Sequence, residues 1–189
     1  IDYIIHCASI TTSKIMISRP VDVIRTSLNG TENLLELAKE KQVRSMVYVS
    51  SMEMYGVLNL QDDQMVTEEM TGYLNPLALR SNYPESKRMC ENMCVAYGTQ
   101  YEVPVKIARL AQTFGAGVLP GENRVFAQFA RSVMKGSDIV LHTEGKSEGN
   151  YCYTADAVRA LLTILVKGEN MQAYNAVSYT HLTLPTKLE

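Results

Sequence analysis

Apolar positions follow two rhythms along this chain. Tyr3-Ile4-Ile5-His6-Cys7, Met46 to Val49 within Ser45–Ser50, and Val103 to Leu110 are short, near-continuous apolar runs rich in β-formers. Each is too short for a helix and predicts a strand buried on both faces. Between them lie longer segments of helical period. Arg19 to Gln42 reads as a helix, with Pro20 in the first turn and a stripe of Val23, Ile24, Leu28, Leu34, Leu35 and Leu37. A glycine inside a helix costs about 1 kcal/mol against alanine, so Gly30 predicts a close backbone approach. Gly56 to Arg80 is a polar connection containing Gly72 and Pro76, longer than a simple turn needs. Ser81 or Asn82 caps a helix to about Tyr101, with Pro84 in the tolerant first turn. Downstream come a loop at Gly115–Gly121, a helix at Asn123–Lys135 and a strand at Asp138–His142. A helix starting at Thr154, with Asp156 behind it, runs to Lys167, and Ala173–Val177 reads as a last short strand.

Strands and helices alternate, which predicts an α/β fold with a doubly wound parallel sheet covered on both faces. Residues 1–114 are assigned to that layer and 115–177 to part of a smaller C-terminal lobe, because the pattern becomes less regular after Gly115. Both ends read as departures from a natural chain and are expected to be so: Ile1 opens directly onto a strand, and Val177 to Thr186 resembles a translated sequencing-library adaptor. Residues 178–189 are therefore set aside as a non-native tail, and His181 carries no weight. The competing reading is a β-strand tail, which the Leu/Thr alternation fits.

Composition narrows the class. A net charge of -2 gives no basic footprint for nucleic acid. Cys7, Cys90, Cys94 and Cys152 form no CxxC pair, which argues against a metal site and suits a reducing cytosol. No apolar run approaches the roughly 20 residues of a membrane helix.

The candidate chemistry lies in two segments, Val49-Ser50-Ser51-Met52-Glu53-Met54-Tyr55-Gly56 and Tyr83-Pro84-Glu85-Ser86-Lys87. Ser51 follows a buried strand and so belongs at the carboxyl edge of the sheet, where open α/β sheets bind ligands. Tyr83 and Lys87 share one helix face. A lysine about 4 Å from a phenol at an effective dielectric of about 20 contributes about 4 kcal/mol. That predicts a phenol acidified from about 10 by about 3 pH units and able to act as a base. A Tyr-x-x-x-Lys pair alone is weak, since helix-surface pairs of this kind are common; the two segments in this order and setting are specific.

These segments resemble the extended short-chain dehydrogenase/reductase family, the NAD-dependent epimerase/dehydratases of nucleotide sugars, over residues 1–177. His6-Cys7-Ala8-Ser9 resembles the family's His-x-Ala-Ala turn, and Ser27-Leu28-Asn29-Gly30-Thr31 its Asn-Val-x-Gly-Thr helix. Arg109-Leu110-Ala111-Gln112-Thr113-Phe114-Gly115 resembles its Arg-x-x-Asn-x-Tyr-Gly segment, and Tyr153 to Val158 its Tyr-x-x-Asp-x-x motif. The resemblance implies a Rossmann-type fold and a catalytic set of Ser51, Tyr83 and Lys87. It implies a cofactor lined by Ala8, Ser9, Ser50, Tyr83, Lys87 and Ala111, and a sugar nucleotide met by Ser51, Glu53, Gln112 and Arg124. The implied cofactor is NAD; the residue that would select NAD or NADP is not in the chain, so both stay open. A homodimer joined through the Met89, Met93 and Cys94 helix, and a cytoplasmic setting, are further implications.

Several positions depart from the family pattern. The glycine-rich loop is expected upstream, so the polypeptide as given is expected not to be competent alone. Ser27 stands in place of Asn, Gly149 in place of Arg and Ala116 in place of Pro. The leading expectation is a nucleotide-sugar epimerase. Its competitors are a 4,6-dehydratase, a uronate decarboxylase or a reductase on the same scaffold, and, from another class, a non-catalytic nucleotide-binding relative or an inactive fragment. Dehydration would use Glu53 as base, but Met52 replaces the acid it needs. His6 reads as a packed polar residue, Tyr151 and Tyr153 as core or sugar-contact aromatics, and Arg131 as a solvated helix residue.

Overall fold

The computed structural model describes residues 1–61, 64–117, 121–122, 124–141 and 149–177. In chain order the elements are β1 (Tyr3–His6), α1 (Ser13–Ser18), α2 (Pro20–Glu40), β2 (Ser45–Ser51), α3 (Asn82–Tyr101) and β3 (Val105–Leu110). They continue with β4 (Gln112–Phe114), α4 (Val125–Lys135), β5 (Tyr151–Tyr153), α5 (Thr154–Lys167) and β6 (Ala173–Ala176). Two compact units result: Ile1–Leu110 with Ala160–Ala176, and Ala111–Arg159.

In the first unit β1, β2, β3 and β6 form a parallel sheet in the order β1-β2-β3-β6. Successive side chains of a strand point to opposite faces. On one face Met46, Tyr48, Val105 and Ile107 pack with Leu35 and Ala38 of α2 and Cys90 and Cys94 of α3. On the other, Val47 and Ala108 meet Ile164 and Leu165 of α5. The doubly covered parallel sheet is the architecture the strand pattern predicts.

Helix α2 begins at Pro20, with Asp22 in the first turn and Lys39 in the last, each placed to favour the helix dipole. Its buried positions are Val23, Ser27, Thr31, Leu35 and Ala38; of the sequence stripe Val23 and Leu35 are buried, Leu28, Leu34 and Leu37 are half-buried, and Ile24 is exposed. Small side chains on the inner face let α2 approach α3, and polar Ser27 and Thr31 are buried by that approach. The close contact expected at Gly30 is not there: a side chain added at that position would meet nothing within 4 Å.

Four further local expectations change. Neither Ser81 nor Asn82 caps α3 with its side chain; Ser81 is already helical and donates instead to Asn75 O at 2.7 Å. Asn82 donates to Met16 O at 2.7 Å. Residues 138–141 form no strand, and His142, the end of that expected strand, lies outside the described residues with the expected tail 178–189. Helix α1 and strands β4 and β5 have no counterpart in the sequence reading, being six, three and three residues long, too short to show a period.

In the second unit β4 and β5 pair in parallel, Gln112 opposite Tyr151 and Phe114 opposite Tyr153. Phe114 packs against Phe126, Tyr151 and Tyr153, so this unit has an aromatic centre of its own. No helix among the described residues is long and apolar enough to cross a membrane.

Candidate active site

Strand β2 ends at Ser51, and the chain turns at once into a 3-10 helix, Met52–Tyr55, whose first amide caps back: Glu53 N donates to Ser51 Oγ at 3.2 Å. Across from this strand end lies the start of α3, preceded by a second 3-10 turn, Leu79–Ser81. Tyr83 and Lys87 lie one helical turn apart on the buried side of α3. Tyr83 packs on Met16 of α1 and Val23 of α2, so the helix that escaped the sequence reading supports the phenol. Ser51, Tyr83 and Lys87 therefore converge at the carboxyl edge of the sheet, as their spacing predicts.

The electrostatics differ from expectation. Lys87, 4% exposed, donates from Nζ to Val49 O at 2.8 Å. Its ammonium lies 4.9 Å from the Tyr48 ring centroid and 5.6 Å from that of Tyr83. Burial lowers its pKa to about 8, opposed by the negative potential of Cys90, Glu91, Cys7 and Cys94. Tyr83 is not acidified; its pKa is raised. Burial is the main cause and the Glu53 charge adds to it, while hydrogen bonding with Ser51 and the charge of Arg80 pull the other way. Taking a phenolate out of water outweighs the cations around it, so the phenol is protonated at neutral pH.

Three side chains to which the sequence reading gave no role, Glu91, Arg109 and Arg88, fix this geometry. Glu91 of α3 accepts from Ser50 Oγ at 2.5 Å and pairs with Arg109 Nη2 at 2.7 Å, both partners 8% exposed. Arg109 also donates to Tyr55 Oη at 2.9 Å and to Glu68 O at 2.7 Å, and Tyr55 Oη donates to Asn175 Oδ1 at 2.6 Å. Arg88, beside Lys87, donates to Met54 O and Gly72 O, both at 2.7 Å. The turn after Ser51 is thus clamped to α3, β3 and β6. Local spacing carries no signal for these ties, because each joins residues at least 16 positions apart in sequence. Arg80 is the fourth omission; its Nη2 holds both oxygens of Glu53, at 3.1 and 2.9 Å.

The remaining candidates are placed as follows. Ser50 donates its hydroxyl proton to Glu91, so its side chain has no donor to offer a ligand and its backbone is the main candidate contact. Ala8 and Ser9 follow β1 on the same sheet edge, and Ser9 Oγ is buried with no hydrogen-bond partner among the described residues. His6 is packed, 2% exposed, with Nε2 3.1 Å from Thr31 Oγ1. In the second unit Ala111 is buried, Gln112 is exposed at the start of β4, and Arg124 pairs with Glu122 at 2.7 Å. No group of three His, Cys, Asp or Glu able to hold a metal ion occurs among the described residues. The donor set that does exist, a lysine ammonium with one acceptor among the described residues and an unpartnered buried hydroxyl, fits a hydroxyl-rich cofactor such as a dinucleotide ribose.

The model of the NAD dependent epimerase/dehydratase family matches residues 1–177. Over 96% of its length the chain is 30% identical to UDP-glucuronic acid decarboxylase 1 of Xenopus tropicalis, covering 44% of that protein. It is also 30% identical over 93% of its length to dTDP-D-glucose 4,6-dehydratase of Mus musculus, covering 46% of it. Among solved structures, DesIV, a dTDP-glucose 4,6-dehydratase from Streptomyces venezuelae with NAD and TYD bound, superposes with a TM-score of 0.78 at 25% identity, over 93% of this chain and 52% of that one. The chain thus spans less than half the length of these two curated relatives.

Proposed function

The chain belongs to the NAD-dependent epimerase/dehydratase family, and on that premise we propose that it forms the proton-transfer site of an enzyme oxidising a hydroxyl of a nucleotide sugar. The observation that carries the reading is the convergence of Ser51, Tyr83 and Lys87 at one strand end. Lys87 and Ser9, with the backbone of Ala8 and Ser50, are the groups in the first unit that would hold the cofactor, and Ala111 is the candidate in the second. When bound, NAD accepts the hydride from the carbinol carbon and later returns it. Ser51 orients the sugar hydroxyl, and Tyr83 takes its proton. Because Tyr83 is protonated in this structure, it becomes a base only when more positive charge reaches it. A full positive charge about 6 Å away at an effective dielectric of about 20 is worth about 3 kcal/mol, which offsets burial by about two pH units and moves the phenol towards acting as a base.

For the step after oxidation, loss of carbon dioxide from a nucleotide uronate is the leading reading. It is supported by the 30% identity to a UDP-glucuronic acid decarboxylase and by a carboxylate, Glu53, two residues beyond Ser51. Epimerisation is the second reading, favoured by the Arg80 pairing that occupies Glu53, since epimerisation needs no group beyond the trio. Dehydration lacks its acid, because Met52 stands at that position. The sugar-side contacts proposed are Ser51, Glu53, Gln112 and Arg124. A homodimer joined through α3 and a cytosolic setting complete the reading.

The test is Tyr83→Phe in the longest polypeptide that carries these residues. Turnover falls at least a hundredfold while cofactor affinity changes less than threefold; undiminished turnover refutes the role. Product mass separates decarboxylation, which loses carbon dioxide, from epimerisation, which leaves the mass unchanged.

A further inference from the structure

The Glu53–Arg80 pair has no part in the proton transfer described above, yet it sits where that transfer would occur. Glu53 lies on the turn that follows Ser51, and Arg80 on the turn that precedes Tyr83. The Arg80 guanidinium carbon is 5.9 Å from the Tyr83 ring centroid. Both charges act on the phenol, Glu53 raising its pKa and Arg80 lowering it. The pair therefore bridges the two elements that bring the hydroxyl and the phenol together.

Two features make it an unusual structural salt bridge. It is accessible, with side-chain exposures of 38% and 43%, so holding it closed contributes little. Arg80 also uses only Nη2 for both Glu53 oxygens. Nη1 and Nε, three of the five N–H donors of a guanidinium, have no acceptor among the described residues. A planar fork with free donors beside a reactive phenol is a ready receptor for a second carboxylate.

We infer that Arg80 is the carboxylate-recognition residue of this site, that it selects nucleotide uronates over neutral nucleotide hexoses, and that Glu53 occupies the guanidinium until such a sugar binds. The inference rests on the reading that the Ser51–Tyr83–Lys87 trio acts on a nucleotide sugar, and it adds the residue that reads the sugar's charge. A uronate carboxylate forks onto the guanidinium through Nη2 together with Nη1 or Nε, and so displaces Glu53 from Nη2. A hexose with a hydroxymethyl group in the same place offers no anion and leaves the pair closed.

Calorimetric titration of the NAD-loaded protein, in the longest polypeptide carrying these residues, with UDP-glucuronate and UDP-glucose tests this, since the two probes differ only at C6. Wild type binds the uronate at least tenfold more tightly. Arg80→Gln brings the two affinities within about twofold of each other, and Arg80→Lys gives an intermediate ratio because the fork is lost but the charge is kept. Glu53→Gln tightens uronate binding, a gain that a merely structural pair does not produce. An unchanged ratio in Arg80→Gln, equal weakening of both ligands, or no preference in wild type overturns the assignment; binding of neither ligand overturns it together with the underlying reading. Solvent proton exchange and nicotinamide reduction in wild type report on the underlying reading separately, because they follow the trio and not the affinity ratio.

Discussion

Replacing Glu91 with alanine removes the carboxylate that pairs directly with the Arg109 guanidinium inside the first unit. The residue ties three things together: Ser50 at the end of β2, Arg109 on β3, and through Arg109 the ring of Tyr55 and the carbonyl of Glu68. Burial alone would lower the pKa of Arg109, yet hydrogen bonds with Glu91 and Tyr55 raise it above its ordinary value, so the charge is held by its partners. Breaking a buried pair by deleting one member costs about 3–5 kcal/mol, because the other charge is stranded. A cleft of about 820 Å³ lined by both residues admits water and brings the expected loss to the lower end, about 3 kcal/mol. With a urea slope of about 2 kcal/mol per molar, the midpoint falls by about 1.5 M. The assay is urea unfolding followed by far-UV circular dichroism. Glu91→Leu, Arg109→Met and the double variant complete a cycle. Loss of the lone charge predicts that the double variant is more stable than the sum of the singles implies, by about 2 kcal/mol or more. A midpoint change below about 0.3 M for Glu91→Ala, or additive singles, refutes a stranded charge as the source of the cost.

Two other outcomes follow from the packing of α2. Burial, with Lys87 adding repulsion, lowers the His6 pKa from 6.5 to about 4, so the unfolded chain takes up a proton that the folded chain refuses. The resulting stability is present above pH 6.5 and lost as pH falls towards 4, amounting to up to about 3 kcal/mol. His6→Asn flattens that dependence in urea midpoints measured at pH 7 and pH 4.5; parallel slopes for the two proteins reject a neutral buried imidazole. Gly30→Ala raises stability by about 1 kcal/mol, because the position is helical and open; a lower melting temperature would reveal a contact that the helix face hides.

Much of the architecture is legible in the chain itself. Strands β2 and β3 are near-continuous apolar runs, a pattern that calls for cover on both sides and points to the parallel α/β class. Pro20 and Thr154 set helix starts through local backbone chemistry, and the Tyr83–Lys87 interval places phenol and ammonium on one helix face whatever surrounds them. Helix α1 and strands β4 and β5 escaped the reading because, at three to six residues, they carry too little pattern to be recognised.

What the sequence could not supply is the environment of each group. The four-residue spacing suggests an acidified phenol, but the sign of its shift depends on how much water is excluded around Tyr83, and that depends on Met16 and Val23 from other elements. The inner face of α2 sets small Ser27, Thr31 and Ala38 beside apolar Val23 and Leu35, so closeness to α3 as well as apolarity selects it. The Glu91–Arg109 and Glu53–Arg80 pairs join residues 18 and 27 positions apart, so no local pattern announces them. Periodicity and backbone preference are properties of a few neighbouring residues and survive in the sequence; desolvation and long-range charge pairing are properties of the assembled fold and exist only once the chain has closed on itself.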